Sequence, residues 1–346
     1  RVRSVFRQLS SSDFSSADQE QCGLLLAFAY PDRIAKARQP NSGEYTLSNG
    51  TGARMLPGDS MIVHDLICAP QVEGTGKLPT IFLSAPLTQT LMETQFLDLT
   101  SEEIELEWDA AAKSISAAKV RRLGSIVLSK KSIAAASEQI PQERRAAFLM
   151  ENLKKEPFDS LPWSSHERSM IARIQFLHRV LGDEWPDLSP ETLMNTMEQW
   201  LAPFLTPKQN SLESLRGDVL RNAMDNRVEY RQRIALDTLA PERIEVPSGS
   251  KIKVNYDTDP PRLSVRLQEL FGMTESPRIA GGRAVVVMDI LSPAMRTVQV
   301  TSDLAGFWDT SYFLVRKDMR GRYPKHDWPE NPREALPHRG VRKRIE

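Results

Sequence analysis

The chain is 346 residues long, 40% apolar and 26% charged, with 45 Lys and Arg matched by 45 Asp and Glu. That is room for two or three domains, and a zero net charge means that a nucleic-acid role would have to rest on local patches. Cys22 and Cys68 belong to no CxxC or Cys/His cluster, and the longest apolar run is Leu24–Tyr30. This argues against a disulfide framework, a structural zinc site and a membrane-spanning helix, and a reducing cytoplasm is the expected compartment.

Arg1–Leu9 places Val2, Val5, Phe6 and Leu9 on one helical face, and the chain starts there without Met, as a piece of a longer protein would. Ser10–Glu20 is Ser/Asp-rich and reads as a linker, with Asp18 beginning a short helix through Cys22–Tyr30 that Pro31 ends. From Glu44 to about Lys131 the pattern is β-rich. Strands are expected at Tyr45–Leu47, Ala53–Leu56, Met61–Cys68 and Ile81–Ala85, and a helix at Leu87–Leu97. Ser101–Asp109 packs five acids into nine residues, with Ile104, Leu106 and Trp108 alternating with Glu103, Glu105, Glu107 and Asp109. A period of two sends the carboxylates to one sheet face, so a solvated strand is expected here and not a catalytic pair. Val120–Leu128 reads as one further strand. Five or six short strands with one helix suit an OB-like β-barrel over residues 21–135, although other small barrels fit the pattern.

Residues 136–239 turn helical. Ser164 with Glu167 forms a capping box, and Ser189-Pro190-Glu191 an N-cap with Pro at the first position. Residues 240–330 are mixed: a turn at Pro247–Ser250, a strand at Lys251–Tyr256, a helix opened by Asp259-Pro260-Pro261 and closed by Gly272, and strands at Ala284–Leu291 and Val298–Val300. One or two helices follow within Ser302–Lys317, and residues 331–346 read as a loose basic, Pro-rich tail. The expected class is a multidomain α+β chain: an OB-like barrel, a helical layer and a mixed C-terminal domain.

Catalytic signatures do not emerge. Glu73–Leu78 (EGTGKL) lacks the first Gly and the Ser/Thr of a phosphate-binding loop. Asp183-Glu184-Trp185 sits at a turn between helices, not after a buried strand. His64 reads as a solvent-facing or hydrogen-bonded strand residue and not a general base, and no His pair has metal-ligand spacing. The chain alone is expected to be non-catalytic, with no cofactor of its own.

Two basic strips stand out. Lys119, Arg121 and Arg122, with Lys113, Lys130 and Lys131 nearby, either track phosphates or pair with the acidic Glu103–Asp109 face. The second lies in VQVTSDLAGFWDTSYFLVRKDMRGRYPKHDWP, from Val298 to Pro329. Here Arg316, Lys317, Arg320, Arg322 and Lys325 are interleaved with aromatic residues; Arg316 and Arg320 share a helical face. Trp308, Tyr312 and Phe313 read as core. Tyr323 and Trp328, beside prolines, are the candidates for stacking on unpaired bases. From Arg316 onward the chain holds ten Lys and Arg against five acids.

Four stretches resemble the HrpB family of bacterial DEAH-type ATP-dependent RNA helicases. They are Gly23–Arg38 (GLLLAFAYPDRIAKAR), Tyr45–Ala53 (YTLSNGTGA), Pro247–Gly272 and Ala280–Pro329. The resemblance implies a parent with two RecA-like motor domains upstream, which would bind ATP and magnesium. Residues 1–20 would end its ratchet region, and an OB-like domain near the single-strand channel would follow. Expected partners are single-stranded RNA or DNA and the motor domains of the same protein. The rival expectation is a scaffold module that docks on the motor or on a partner protein.

Overall fold

A computed structural model describes residues 16–340 apart from Thr75 and Lys77, with side chains from residue 19 onward. The expected helix at Arg1–Leu9, most of the linker, and the tail cations Arg342, Lys343 and Arg344 lie outside these residues. The chain divides into two compact units, Arg1–Ile140 and Pro141–Glu346.

In the first unit, helix α1 (Ser16–Ala29) starts two residues before Asp18. Five strands follow: β1 (Ile34–Ala37), β2 (Glu44–Leu47), β3 (Gly52–Met55), β4 (Leu66–Glu73) and β5 (Thr80–Leu87). They close into a barrel of order β1-β2-β3-β5-β4, with β3 and β5 parallel and β1 pairing β4 to seal the ring. Alternation explains the closure. Ala35, Tyr45, Leu47, Ala53, Met55, Ile67, Ala69 and Ile81 fill the interior, while Lys36, Thr46 and Arg54 between them face outward.

Two expectations change here. Met61–Cys68 is not one strand, because Asp59 caps a 3-10 turn at Ser60–Val63, and the strand begins only at Leu66. His64 therefore sits at the end of that turn, where its carbonyl accepts the Tyr45 hydroxyl at 2.8 Å. Burial, helped by Asp65 and Asp59, pushes Tyr45 up to about 12, so it stays a donor. Leu87 belongs to β5, and helix α2 is confined to Gln89–Gln95 by its Thr88 cap.

The acidic strand is not part of the barrel. β6 (Ser101–Asp109), β7 (Ser114–Leu123) and β8 (Ile126–Ile133) form a separate antiparallel sheet. A turn at Gly124-Ser125 splits the expected strand Val120–Leu128. Leu123, Ile126 and Leu128 then pack with Ala27, Leu66, Cys68, Leu87, Met92 and Phe96 in a second core layer. Two close backbone approaches hold this layer. Ser125 N donates to Ser48 O at 2.8 Å, and at Gly124 (φ +53°) a Cβ would lie 2.1 Å from that oxygen. At Gly23 of α1 a Cβ would lie 1.9 Å from the Pro86 carbonyl oxygen.

The second unit opens with helices α3 (Gln142–Leu153), α4 (Ser165–Leu181), α5 (Pro190–Asn195), α6 (Met197–Trp200), α7 (Asp218–Asp225) and α8 (Tyr230–Leu239). Both expected caps are present, at Ser164/Glu167 and at Ser189. Trp163 stacks on Trp200 at 6.0 Å, and buried Arg173 reaches from α4 to the Ala240 carbonyl at 2.6 Å and to Asp237. Strands β9 (Arg243–Glu245), β10 (Lys251–Asn255), β11 (Arg262–Arg266), β14 (Val287–Leu291) and β15 (Thr297–Thr301) build a sheet of order β15-β14-β11-β10-β9. The short hairpin of β12 (Arg278–Ile279) and β13 (Ala284–Val285) turns at Gly281-Gly282.

The helix expected after Pro261 is instead strand β11. Leu263 and Val265 alternate with Arg262 and Ser264, and parallel pairing with β14 outweighs the four-residue spacing of the leucines. Helices α9 (Leu304–Asp309) and α10 (Tyr312–Arg322) complete the unit. Among the described residues, the segment from Glu330 to Gly340 is not loose. Pro332 O accepts Gly272 N at 2.9 Å, Arg333 forks onto Asp309 at 2.7 and 3.0 Å, and His338 N donates to Gln268 O at 3.1 Å. Its prolines present carbonyls that the preceding core can use.

Gly23→Val should destabilise the first unit by about 1–3 kcal/mol through overpacking against Pro86. Urea unfolding monitored by tryptophan fluorescence would show it, and an unchanged midpoint would contradict this helix–barrel contact.

Candidate nucleic-acid interface

The meander of β6, β7 and β8 gathers the first basic strip. Lys119 lies 2.5 Å and Arg121 3.0 Å from Glu102, while Arg122 lies 2.8 Å from Glu103 and also pairs with Glu105. Lys130 lies 2.6 Å from Glu107 and 3.6 Å from Glu105. The register favours this, since Glu102 stands opposite Arg121 and Glu103 opposite Val120, two residues from Arg122 and on the same face. Of the two roles open to these cations, the structure shows the pairing. Hydrogen bonds from Lys119 and Arg121 hold Glu102 below the usual carboxylate range, and that from Arg122 does the same for Glu105.

The second strip separates into two kinds of residue. Phe307, Trp308 and Tyr312 are buried, with the Trp308 indole donating to Met273 O at 2.8 Å. Trp328 is buried as well, its Nε1 donating to Tyr323 O at 2.9 Å and its carbonyl accepting Arg316 Nε at 2.8 Å. Its ring is therefore not an open stacking platform, because the turn around Pro324 folds it inward. Arg316 also pairs with Glu330 at 3.3 Å, and Arg322 with Asp318 at 3.3 Å.

Phe313 reverses its expectation: it is half exposed, and Leu314 is 73% exposed. One helical face of α10 thus carries Phe313, Lys317 and Arg320 at positions i, i+4 and i+7. Lys317, Arg320 and Lys325 have no ion-pair partner among the described residues, and Tyr323 is part-exposed beside them. Burial, then the charges of His338 and Arg266, lower the His326 pKa, so its imidazole is neutral at pH 7.

The outer wall of the barrel carries cations that sequence reading passed over. The Arg38 guanidinium donates to Thr46 Oγ1 at 3.2 Å and covers Gly52, where a Cβ would lie 2.5 Å from its Nη2. Arg54, on the neighbouring strand, is exposed and has no ion-pair partner among the described residues. Lys36 donates to Val127 O at 2.6 Å. The alternation of IAKAR marks Lys36 and Arg38 as outward-facing, but only strand order sets them beside Arg54. Cys68 is no nucleophile, since burial pushes its thiol up to about 12. Among the described residues no His, Cys, Asp and Glu side chains gather as a metal cluster, and no helix is long and apolar enough to cross a membrane.

Residues 200–332 match the family profile HrpB_C, described as ATP-dependent helicase C-terminal. Over 331 residues the chain is 33% identical to the ATP-dependent RNA helicase HrpB of Escherichia coli (strain K12), covering 94% of this chain and 40% of that protein. The crystal structure of the E. coli DExH-box NTPase HrpB superposes with a TM-score of 0.55 at 31% identity, covering 92% of this chain and 39% of that one. The chain belongs to the HrpB family. It corresponds to the C-terminal region of those helicases and spans about two fifths of their length. The HrpB resemblance read in the four sequence stretches therefore holds.

Above the ordinary glutamate range the Glu102 and Glu105 pairs favour the folded meander, and this contribution is lost as pH falls through their depressed folded-state values. Carboxylate NMR titration should place both midpoints below that of a free glutamate, with Arg122→Ala returning Glu105 toward it. Unshifted midpoints would contradict the pairing.

Proposed function

We propose that this chain is the strand-holding C-terminal region of an ATP-dependent RNA helicase, with a barrel of the OB type. The observation that carries the reading is the barrel's strand order, β1-β2-β3-β5-β4 with β3 parallel to β5, in a chain of the HrpB family. OB barrels take oligonucleotides across their second and third strands and the flanking loops. Thr46, Gly52 and Arg54 occupy those strands here, Arg38 lies across them, and Leu78 from the β4–β5 loop approaches Gly52.

On this reading Arg38 and Arg54 hold phosphates on the barrel. Lys317, Arg320, Lys325, Phe313 and Tyr323 hold phosphates and unpaired bases in the second unit. Arg316, Arg322 and Trp328 brace that helix. Lys119, Arg121 and Arg122 reach a strand only by leaving their glutamates, and so contribute less. Binding and release of ATP and magnesium fall to the remainder of the parent protein, a RecA-type motor working in the cytoplasm, whose tracking strand this region keeps from dissociating.

Fluorescence anisotropy with a labelled single-stranded RNA tests the proposal. The chain should bind at low salt and weaken steeply as salt rises. Arg38→Ala with Arg54→Ala, and separately Lys317→Ala with Arg320→Ala, should each reduce the slope of log K against log salt by about 1.4, from about 0.7 per phosphate contact. No binding at low salt would sink the strand-holding role and favour a docking module.

A further inference from the structure

The solvent face of the five-stranded sheet in the second unit carries a basic surface that no sequence strip announces. Its register aligns Arg243 and Glu245 of β9 with Lys253 and Lys251 of β10, then Asn255 with Arg262 of β11, and Ser264 with Asp289 of β14. The opposite face takes Val254, Leu263, Val265, Met288 and Ile290 into the core. Arg243, Lys251, Lys253 and Arg262 are exposed, and Arg266 is part-exposed. These five cations face two carboxylates, Glu245 and Asp289.

Little of that charge is neutralised. Arg262 lies 3.4 Å from Asp289, which also accepts Ser264 Oγ at 3.2 Å. Arg243 donates to the Lys251 carbonyl at 3.0 Å, and Arg266 to the Arg339 carbonyl at 3.0 Å. Backbone carbonyls leave the formal charge in place. Lys251 and Lys253 have no ion-pair partner among the described residues. Lys253 also stands at the wall of a groove of about 970 Å³ that runs along α4, lined by Arg168, Ser169, Gln175, Arg179 and Asn255. The arginines in that groove are paired, Arg168 with Asp159 at 3.0 Å and Arg179 with Asp259 at 2.9 Å. Lys253 is thus the free cation where sheet face and groove meet, and Asp257 lines the same groove as its nearest opposing acid in sequence.

We infer that this sheet face is a second phosphate-tracking surface, taking the backbone of a single-stranded nucleic acid across Arg243, Lys251 and Lys253. The inference rests on the strand-holding function and adds a contact that the function does not require. Same-face residues recur about every 7 Å along a strand, and neighbouring strands lie about 4.8 Å apart. That makes a shallow grid of cations suited to a flexible backbone. No aromatic side chain stands on this face of β9, β10 or β11, so bases have nothing to stack on, and recognition runs through phosphates without regard to sequence.

The test uses the whole chain and 5′-labelled oligouridylate, with anisotropy read at several salt concentrations. Arg243→Ala, Lys251→Ala and Lys253→Ala together should lower the salt slope by about 2, for three lost contacts at about 0.7 each. Lys251→Arg with Lys253→Arg should keep the wild-type slope, and oligoadenylate should behave as oligouridylate does. These side chains are exposed, so the triple variant should melt at the wild-type temperature. A triple variant that binds with wild-type affinity and slope, while the Lys317/Arg320 or Arg38/Arg54 variants lose affinity, overturns the sheet surface and leaves the strand-holding function standing. Failure of the unaltered chain to bind overturns both.

Discussion

The first unit depends on how closely its backbones approach. Gly124 and Ser125 lie directly against the carbonyl of Ser48, and Gly23 against that of Pro86. At Gly124 and Gly23 the contacts admit no side chain. They bring α1 and the turn of the meander near enough to the barrel for Leu123, Ile126 and Leu128 to share a core with Ala27, Cys68 and Phe96. Without that second layer, the short strands of the barrel would have only one packed interior. The meander beyond its turn would have no anchor, and its rows of charge would have no fixed register.

The second unit is organised around aromatic anchors. Trp308 packs near Phe271, Phe307 and Tyr312, and its indole N–H is satisfied by Met273. Burying so many rings requires partners for their polar atoms, and the chain after α10 supplies them. Pro329 O accepts the Tyr312 hydroxyl at 2.7 Å, and Tyr323 O takes the Trp328 indole. Much of the distinctive C-terminal run is therefore packing. The part left exposed is the outer face of α10 and the turn that follows it, at Tyr323 and Lys325.

Electrostatics divides the surface in the same way. The chain is neutral overall, but its charges are not uniformly cancelled. On the meander Lys119, Arg121, Arg122 and Lys130 pair with glutamates of β6. On α10, on the barrel wall and on the open sheet, Arg316, Arg322, Arg38 and Arg262 each meet a carboxylate, whereas Lys317, Arg320, Arg54, Lys251 and Lys253 have no ion-pair partner among the described residues. Exposed ion pairs are weak individually, so the paired meander contributes modestly to stability. The unpaired cations leave a local field that a polyanion can lower.

The amino-acid sequence by itself determined the alternation of the barrel strands, the caps at Ser164 and Ser189, and the HrpB resemblance. These are local patterns, or a long run of specific residues. It also marked Trp308 and Tyr312 as core. It could not separate strand β11 from a helix, because Leu263, Leu267 and Leu270 fit a helical face while Leu263 and Val265 alternate as a strand does, and only pairing with β14 decides between the two. It could not show that Phe313 faces outward and Trp328 inward, which depends on where the chain after α10 turns back. Nor could it bring Arg38 to Arg54, or Arg243 to Lys253. Sheet neighbours are chosen by pairing between distant segments, so the tertiary structure alone decided which charges cancel and which stay free.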